Sequence, residues 1–425
     1  MAGVLRPGEA ASTEQPLRER LLFDHDWRFL PGDPAGAEAP AFDAAAWRTL
    51  DLPHDWSIEG KIDPQNPTSG SGGFFPAGVG WYRRTFAVPA SWSERRVNIE
   101  FEGVYMNATV YINGQEMGTH PYGYTSFSYD LTGHLKPDAN NILAVRVDQS
   151  KHRNSRWYAG SGIYRHVWLT VTGAVRVAPW GVFVSTPEVN AARARVSVKS
   201  RVANDSGAPS KVALHTVVYG PSGAAGSQSV SNTTVDARQS VEVNQEIIIE
   251  KPALWSPESP SLYRAVTRVM QDGKAVDEVA TPFGVRSIEW SVGKGFLLNG
   301  KPVKMTGGCV HHDNGPLGAA AFDRAEERRV EILKQSGFNA IRAAHNPPSP
   351  AFLDACDRLG MLVMDEAFDC WARTSLITAW RSRIGGSAIS KPWYCATAII
   401  PPWRFGASAM RFRSAASRSA PRKPR

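Results

Sequence analysis

Residues 339–368 read NAIRAAHNPPSPAFLDACDRLGMLVMDEAF, and this stretch carries the grammar of a parallel α/β unit. Phe338 to Ala344 has strand composition and ends on His345-Asn346. Ser349 is placed to cap a helix with Pro350 at its first position, where a missing N–H costs nothing, and Gly360 closes it. Met361 to Met364 is a wholly apolar strand that runs into Asp365-Glu366. Just upstream, the run MTGGCVHHD (305–313) leads into another helix, with Asp323 as N-cap, Glu326 completing a capping box and Gly337 at C′. Strand, helix, strand, helix, strand predicts the opening of a parallel sheet with crossover helices.

Nothing N-terminal to this unit has a helical period. Up to about residue 178, short alternating runs recur at Trp81 to Val88, Val97 to Phe101, Thr109 to Ile112, Ile142 to Val147 and Tyr164 to Val171. Asn113-Gly114 is the dipeptide that a type I′ hairpin turn prefers. Many short strands with Gly and Pro punctuation predict a sandwich or jelly roll over 1–178. Strand candidates at Val196 to Val202, Val212 to Tyr219, Val241 to Ile249 and Leu262 to Val269 predict a second sandwich over 179–289. Its size of about 100 residues is that of an immunoglobulin-like domain. A hairpin follows at Phe296 to Lys304 around Asn299-Gly300. The predicted fold is therefore multidomain: a β jelly-roll sandwich, an immunoglobulin-like β-sandwich, and an incomplete (β/α)8 TIM barrel over 290–371, followed at 372–425 by an irregular basic tail.

Composition excludes several classes. The 425 residues are 42% hydrophobic and 21% charged, which is globular composition. No run approaches the ~18 apolar residues of a membrane span. Cysteine occurs only at Cys309, Cys356, Cys370 and Cys395, too few for a disulfide scaffold. The net charge of +8 points to nucleic acid only until it is located. From Ala372 onward there are 11 Lys or Arg and no acid, leaving 37 basic and 40 acidic residues in the first 371. The body is mildly acidic and gives no sign of a polyanion partner. The opening MAGVLRPGEAASTEQPLRERL lacks the apolar core of a signal peptide. This leaves localisation open: cytoplasmic, or periplasmic if the true start lies upstream.

Polar residues gather where each parallel strand ends: His311-His312-Asp313, His345-Asn346 and Asp365-Glu366. In a β/α barrel those carboxyl ends share one mouth, and the mouth is the active site. A single His at a strand end is often only a hydrogen-bonded structural residue, but three such clusters on consecutive strands predict function. Adjacent His311 and His312 point to opposite faces of their strand, so they do not share one metal ion, and no Cys-x-x-Cys or His-x-x-x-His spacing accompanies them. Zinc is not predicted. A hard cation such as Mg2+, held by carboxylates near the mouth, stays compatible with the residues.

The segment 339–368 resembles the first signature of glycoside hydrolase family 2, the group of β-galactosidases, β-glucuronidases and β-mannosidases. LPHDW at 52–56, SRWYAGSGIYRHVWL at 155–169 and FGVR at 283–286 are similar to further motifs of that family, and GGCVHHDNGPLGAA (307–320) resembles its β-galactosidase-like members. The order of domains also agrees, and the likeness spans roughly residues 20–371. Asn346 departs from the Tyr found in many members and matches the Asn of others. The resemblance implies hydrolysis of terminal β-linked sugars with retention, Mg2+ or Na+ as a cofactor, and frequent oligomerisation. It implies that His311 and His345 bind sugar hydroxyls, that Asn346, Asp365 and Glu366 lie at or just behind the sugar, and that the loop from Arg156 to Tyr158 reaches toward the mouth. Residues that resemble the galactose-specific, glucuronic-acid-specific and mannose-specific members are not separable here.

The pattern then stops. A retaining glycosidase needs two carboxylates about 5 Å apart, and the family supplies them as glutamates on later strands. After Glu366 the chain has no Glu, and Asp369 is its last acid. Only about 135 residues follow Ser291, against about 250 for a whole barrel. Read one base out of register, Tyr394 to Pro402 can encode L-R-D-R-N-H-P-S-V, and Trp403 to Arg413 can encode A-I-W-S-I-G-N-E-I-P, placing an Asn-Glu pair across Met410 and Arg411. A frameshift near Ala372 accounts for this. The expectation is an inactive chain in which the two sandwiches fold, the barrel segment does not, and the tail stays unstructured. The alternative is a carbohydrate-binding protein that uses its jelly roll without catalysis.

Overall fold

The computed structural model describes residues 16–150 and 157–366, together with the backbone of 409–410. The N-terminal unit is a jelly-roll sandwich of two antiparallel sheets. One orders Arg18–Leu22, Val167–Thr172, Arg96–Phe101 and Phe127–Asp130; the other has six strands, with Val79–Ala87 and Asn140–Asp148 at its centre. Alternation sets the faces: Arg96–Phe101 buries Val97, Ile99 and Phe101 while Asn98 and Glu100 face outward. Trp27, Tyr82, Val110, Leu143 and Leu169 complete that core. Asn113 and Gly114 both have positive φ, 52° and 84°, as the type I′ turn requires.

The second unit packs Val175–Val189, Arg193–Asn204 and Gln239–Glu250 against a four-stranded sheet of Ala225–Val235, Ser210–Tyr219, Leu262–Gln271 and Lys274–Gly284. Val196, Val198 and Val202 of the first sheet meet Leu214, Val218 and Val269 of the second in one core. Ala225–Val235 and Lys274–Gly284 are strands that the periodicity did not mark. The former is exposed at most positions and rich in Ser and Thr, so it carries little apolar signal.

The third unit is the start of a barrel. Gly307–Val310, Ala340–Ala343 and Leu362–Asp365 pair in parallel, with helices Asp323–Gln335 and Pro350–Leu359 as crossovers. Ser349 caps the second helix by accepting from Phe352 N at 3.2 Å. Gly360 ends that helix with φ 73°, and a Cβ there would meet the carbonyl oxygen of Pro257 at 2.4 Å, so both conformation and contact require glycine. The first helix departs from expectation. Phe322, not Asp323, is its N-cap, and no capping box forms. Asp323 is drawn instead to His166 of the jelly roll, and the buried Glu326 accepts from Asn314 and Ser349.

The sequence predicts a barrel segment that does not fold; in the structure it has its own core and packs against both sandwiches. Trp255 is fully buried against Phe296, Leu298, Ala340 and Leu362, and its indole N–H donates to Asp357 O at 2.8 Å. Lys334 Nζ donates to the carbonyls of Pro257 and Gly360. Arg165 Nη2 reaches Pro347 O at 2.9 Å. These contacts tie the barrel helices and the loop at Pro347 to the two sandwiches. Cys370 and most of the tail over 372–425, with Cys395 and Arg411, lie outside the described residues. Its one described piece, Ala409–Met410, forms a short strand parallel to Leu362–Asp365, in contrast to the expected lack of structure.

Candidate active-site mouth

The carboxyl ends of the three barrel strands converge, and His311, His345 and Glu366 meet there. His311 and His345 stand edge to face with ring centroids 5.7 Å apart. His345 Nδ1 lies 2.9 Å from Glu366 Oε2. Arg342 Nη2 lies farther from the same nitrogen, at 3.3 Å, so the shorter contact with the carboxylate, which only accepts, favours the neutral tautomer with the proton on Nδ1 and the lone pair on Nε2. Arg342, three residues before His345, donates from Nε to Glu366 Oε1 at 2.6 Å, and that bond raises the guanidinium's already high pKa. Glu366 is thereby fixed from two sides. Asp365 is half-buried at the end of the same strand.

A tryptophan from the jelly roll covers this cluster. The indole of Trp157 stacks on His311 at 5.3 Å and 17°, and lies 5.2 Å from His345 at 48°. Its N–H donates to Tyr124 Oη at 3.1 Å, and Tyr124 is buried. The next residue, Tyr158, donates to Asp55 Oδ2 at 2.6 Å. Asp55 is 2% exposed, and desolvation raises its pKa against the pull of four donors. One of these donors is the N–H of Ala319, at 2.8 Å, in the loop after the first barrel strand. Burial and the neighbouring His345 lower the pKa of His311 against a hydrogen bond with the backbone of Ala344, so the ring is neutral at pH 7.

His312 and Asn346 point the other way. His312 is buried against Tyr124 and Tyr164, and its Nε2 donates to Ala159 O at 2.9 Å. Burial drops its pKa to about 3. Asn346, grouped with the mouth residues in the sequence, is 3% exposed and sits below the mouth in the seam with the jelly roll. Of the loop from Arg156 to Tyr158, Arg156 lies outside the described residues, while Trp157 and Tyr158 both face the barrel. Sequence reasoning missed Asp55 and Arg342 as members of this site. The available signal for Arg342 was one arginine inside an otherwise apolar strand.

The Mg2+ or Na+ implied by resemblance does not fit this donor set. Among the described residues no group of three or more His, Cys, Asp or Glu converges on one point, and Glu366 is already engaged by His345 and Arg342. What remains is a set of polar groups around a half-buried aromatic wall, suited to binding and orienting a polyhydroxylated ligand.

Three consecutive family models match the chain: "Glycosyl hydrolases family 2, sugar binding domain" over residues 49–173, "Glycosyl hydrolases family 2" over 176–286, and "Glycosyl hydrolases family 2, TIM barrel domain" over 291–375. The chain belongs to glycosyl hydrolase family 2. Among family-2 relatives, the β-galactosidase BoGH2A of Bacteroides ovatus is 46% identical over 356 residues, covering 84% of this chain and 42% of that protein. The crystal structure of a family-2 member from Bacteroides cellulosilyticus superposes with a TM-score of 0.85 at 40% identity, covering 92% of this chain and 51% of the other. A Bacteroides uniformis β-glucuronidase gives a TM-score of 0.77 at 32% identity, over 82% of this chain and 42% of that one. The chain therefore spans about half, or less, of the length of these relatives.

Proposed function

We propose that this chain carries the sugar-binding half of a β-galactosidase-type active site, serving hydrolysis of terminal β-linked sugars with retention. The observation that carries the reading is the convergence of His311, His345 and Glu366 beneath Trp157. His345 Nε2 accepts from a sugar hydroxyl, since its Nδ1 proton is held by Glu366. The indole packs against the apolar face of the sugar ring, and Asp365 and Glu366 accept from further hydroxyls. Asn346 supports the mouth from below.

In our reading a polypeptide of these 425 residues performs no turnover. Neither member of the required carboxylate pair has a counterpart after Glu366, and losing either removes nucleophilic or acid/base catalysis. Incubation of the purified chain with a nitrophenyl β-galactoside should release nothing above buffer. Activity that disappears on mutating a residue of this chain would refute the proposal. Fusing the chain through residue 366 to the remainder of a family-2 barrel should give hydrolysis, and comparing galactoside with glucuronide then identifies the sugar. Codons for residues 372–413 that are incompatible with W-S-I-G-N-E in the shifted frame would end the frameshift account.

The second reading, sugar binding by the jelly roll without catalysis, has one observation in its favour. Tyr111 stacks on Trp81 at 5.8 Å beside an open groove of about 690 Å3 edged by the Asp33–Arg146 ion pair. Galactoside binding lost in Tyr111→Ala but kept in His345→Ala would favour it.

A further inference from the structure

A small cavity lies under the mouth, in the seam between jelly roll and barrel, and several buried polar atoms face it without a protein partner. It is lined by Arg165 from the jelly roll and by His312, Asn346 and Glu326 from the barrel, with His311, whose Nδ1 is also buried and unpaired, at its upper end beneath Trp157. His312 Nδ1, Asn346 Nδ2 and Arg165 Nε are all buried and unpaired within the protein. Leaving three such groups unsatisfied would cost about 1–3 kcal/mol each, so the seam needs a shared partner.

The chemistry of the three atoms identifies it. His312 Nε2 faces a carbonyl and must be the protonated nitrogen, which makes Nδ1 an acceptor. Asn346 Nδ2 and Arg165 Nε are donors. The Arg165 guanidinium is buried, and its other nitrogens reach only the carbonyls of Glu102, Tyr124 and Pro347. A lone guanidinium suggests a halide, but an anion would face the His312 lone pair and the Glu326 carboxylate. A group that accepts twice and donates at least once is required. The cavity measures about 10 Å3, about the minimum that a single water needs.

We propose that one tightly held water molecule occupies this cavity, accepting from Asn346 Nδ2 and Arg165 Nε and donating to His312 Nδ1. Its second proton is directed toward Glu326. The water ties the jelly-roll arginine to the residues that directly follow His311 and His345 in the strand-end pairs. The seam between domains thereby sets the height of the mouth, and the inference holds whether or not the chain hydrolyses anything.

A crystal structure of the full chain at better than about 2 Å tests this directly. The expected result is one solvent peak within about 3.2 Å of all three atoms, with no anomalous signal there after a bromide soak. A halide at the site, or Asn346 turned to bond His312 directly over an empty cavity, would overturn the proposal. Oxygen-17 relaxation dispersion gives an independent readout: His312→Phe fills the space with an apolar ring and should remove one slowly exchanging water. An unchanged count in a folded variant would also overturn it.

Discussion

The indole of Trp157 and the imidazole of His311 lie nearly parallel, 17° apart with centroids at 5.3 Å, although one residue belongs to the jelly roll and the other to the barrel. A half-buried aromatic ring held by Tyr124 on one side and followed by the anchored Tyr158 is a fixed wall, not a loose side chain. In a version of the chain extended through a complete barrel, Trp157→Ala should lower kcat/KM roughly 10- to 100-fold by freeing both histidines. Trp157→Phe should keep most of the rate. Equal rates for the Ala and Phe variants would show that stacking does not matter.

Packing of the barrel segment leads to a different digestion pattern from the one its incomplete barrel suggested. Open strand edges and apolar faces in a barrel fragment predict a protease-stable core ending near Arg286 to Ser291. Trp255 instead packs on Phe296, Leu298, Ala340 and Leu362, and the bonds of Trp255 to Asp357, Lys334 to Pro257 and Arg165 to Pro347 fasten the segment to the sandwiches. Limited proteolysis followed by mass spectrometry should therefore give a stable product that reaches about Glu366. A product ending before Gly295 would mean that these contacts do not hold in solution.

The seam should also respond to alkali through His166. Burial alone would lower its pKa, but Asp24 at 2.5 Å and Asp323 at 3.0 Å overcome that and push it up to about 10. A base with a raised folded-state pKa contributes stability that is complete below its unfolded value, near 6.5, and lost as pH rises toward 10. Asp323, whose pKa His166 lowers, contributes in the opposite direction, losing its share as pH falls through the carboxylate range. Thermal melts from pH 6.5 to 10 should show a decline in Tm that is flattened in His166→Gln. The same slope in both proteins would remove His166 as its cause.

How far the sequence spoke depended on how local each device was. The cap at Ser349, the glycine at Gly360 and the turn at Asn113-Gly114 depend on a few neighbouring residues, and all three form as read. Asp323 and Glu326 also fit a local rule, yet partners outside their helix took both side chains: His166, 157 residues away, for Asp323, and Asn314 and Ser349 for Glu326. Convergence of His311, His345 and Glu366 followed from strand ends alone, because a parallel sheet puts those ends side by side. The wall over them did not, since Trp157 precedes His311 by more than 150 residues and reaches it only through the docking of two domains. Asn346 shows the same limit from the other side: its neighbour His345 faces the mouth, while burial of Asn346 is decided by the jelly roll.

Asp55 holds that docking together through a division of its two oxygens. Oδ1 accepts from Ser57 N at 3.0 Å and Ser161 N at 2.8 Å, both within the jelly roll. Oδ2 accepts from Tyr158 Oη at 2.6 Å and from Ala319 N at 2.8 Å, joining the Trp157 loop to the barrel. Asp55→Ala strips all four donors of their acceptor, offset in part by no longer burying a carboxylate, and should cost about 2–4 kcal/mol. Asp55→Asn is the more selective test. It keeps one oxygen for Ser57 and Ser161 but turns an NH2 toward Ala319, whose N–H has nothing to give it. Tyr158 can rotate its hydroxyl to accept, whereas a backbone amide cannot reverse its role. The variant should lose about 1–2 kcal/mol, with faster hydrogen exchange confined to Ala319 and its neighbours and Ser161 still protected. If exchange at Ala319 matched that of the unmodified chain, Asp55 would be a jelly-roll cap only, and the placement of Trp157 over His311 would have to rest on other contacts.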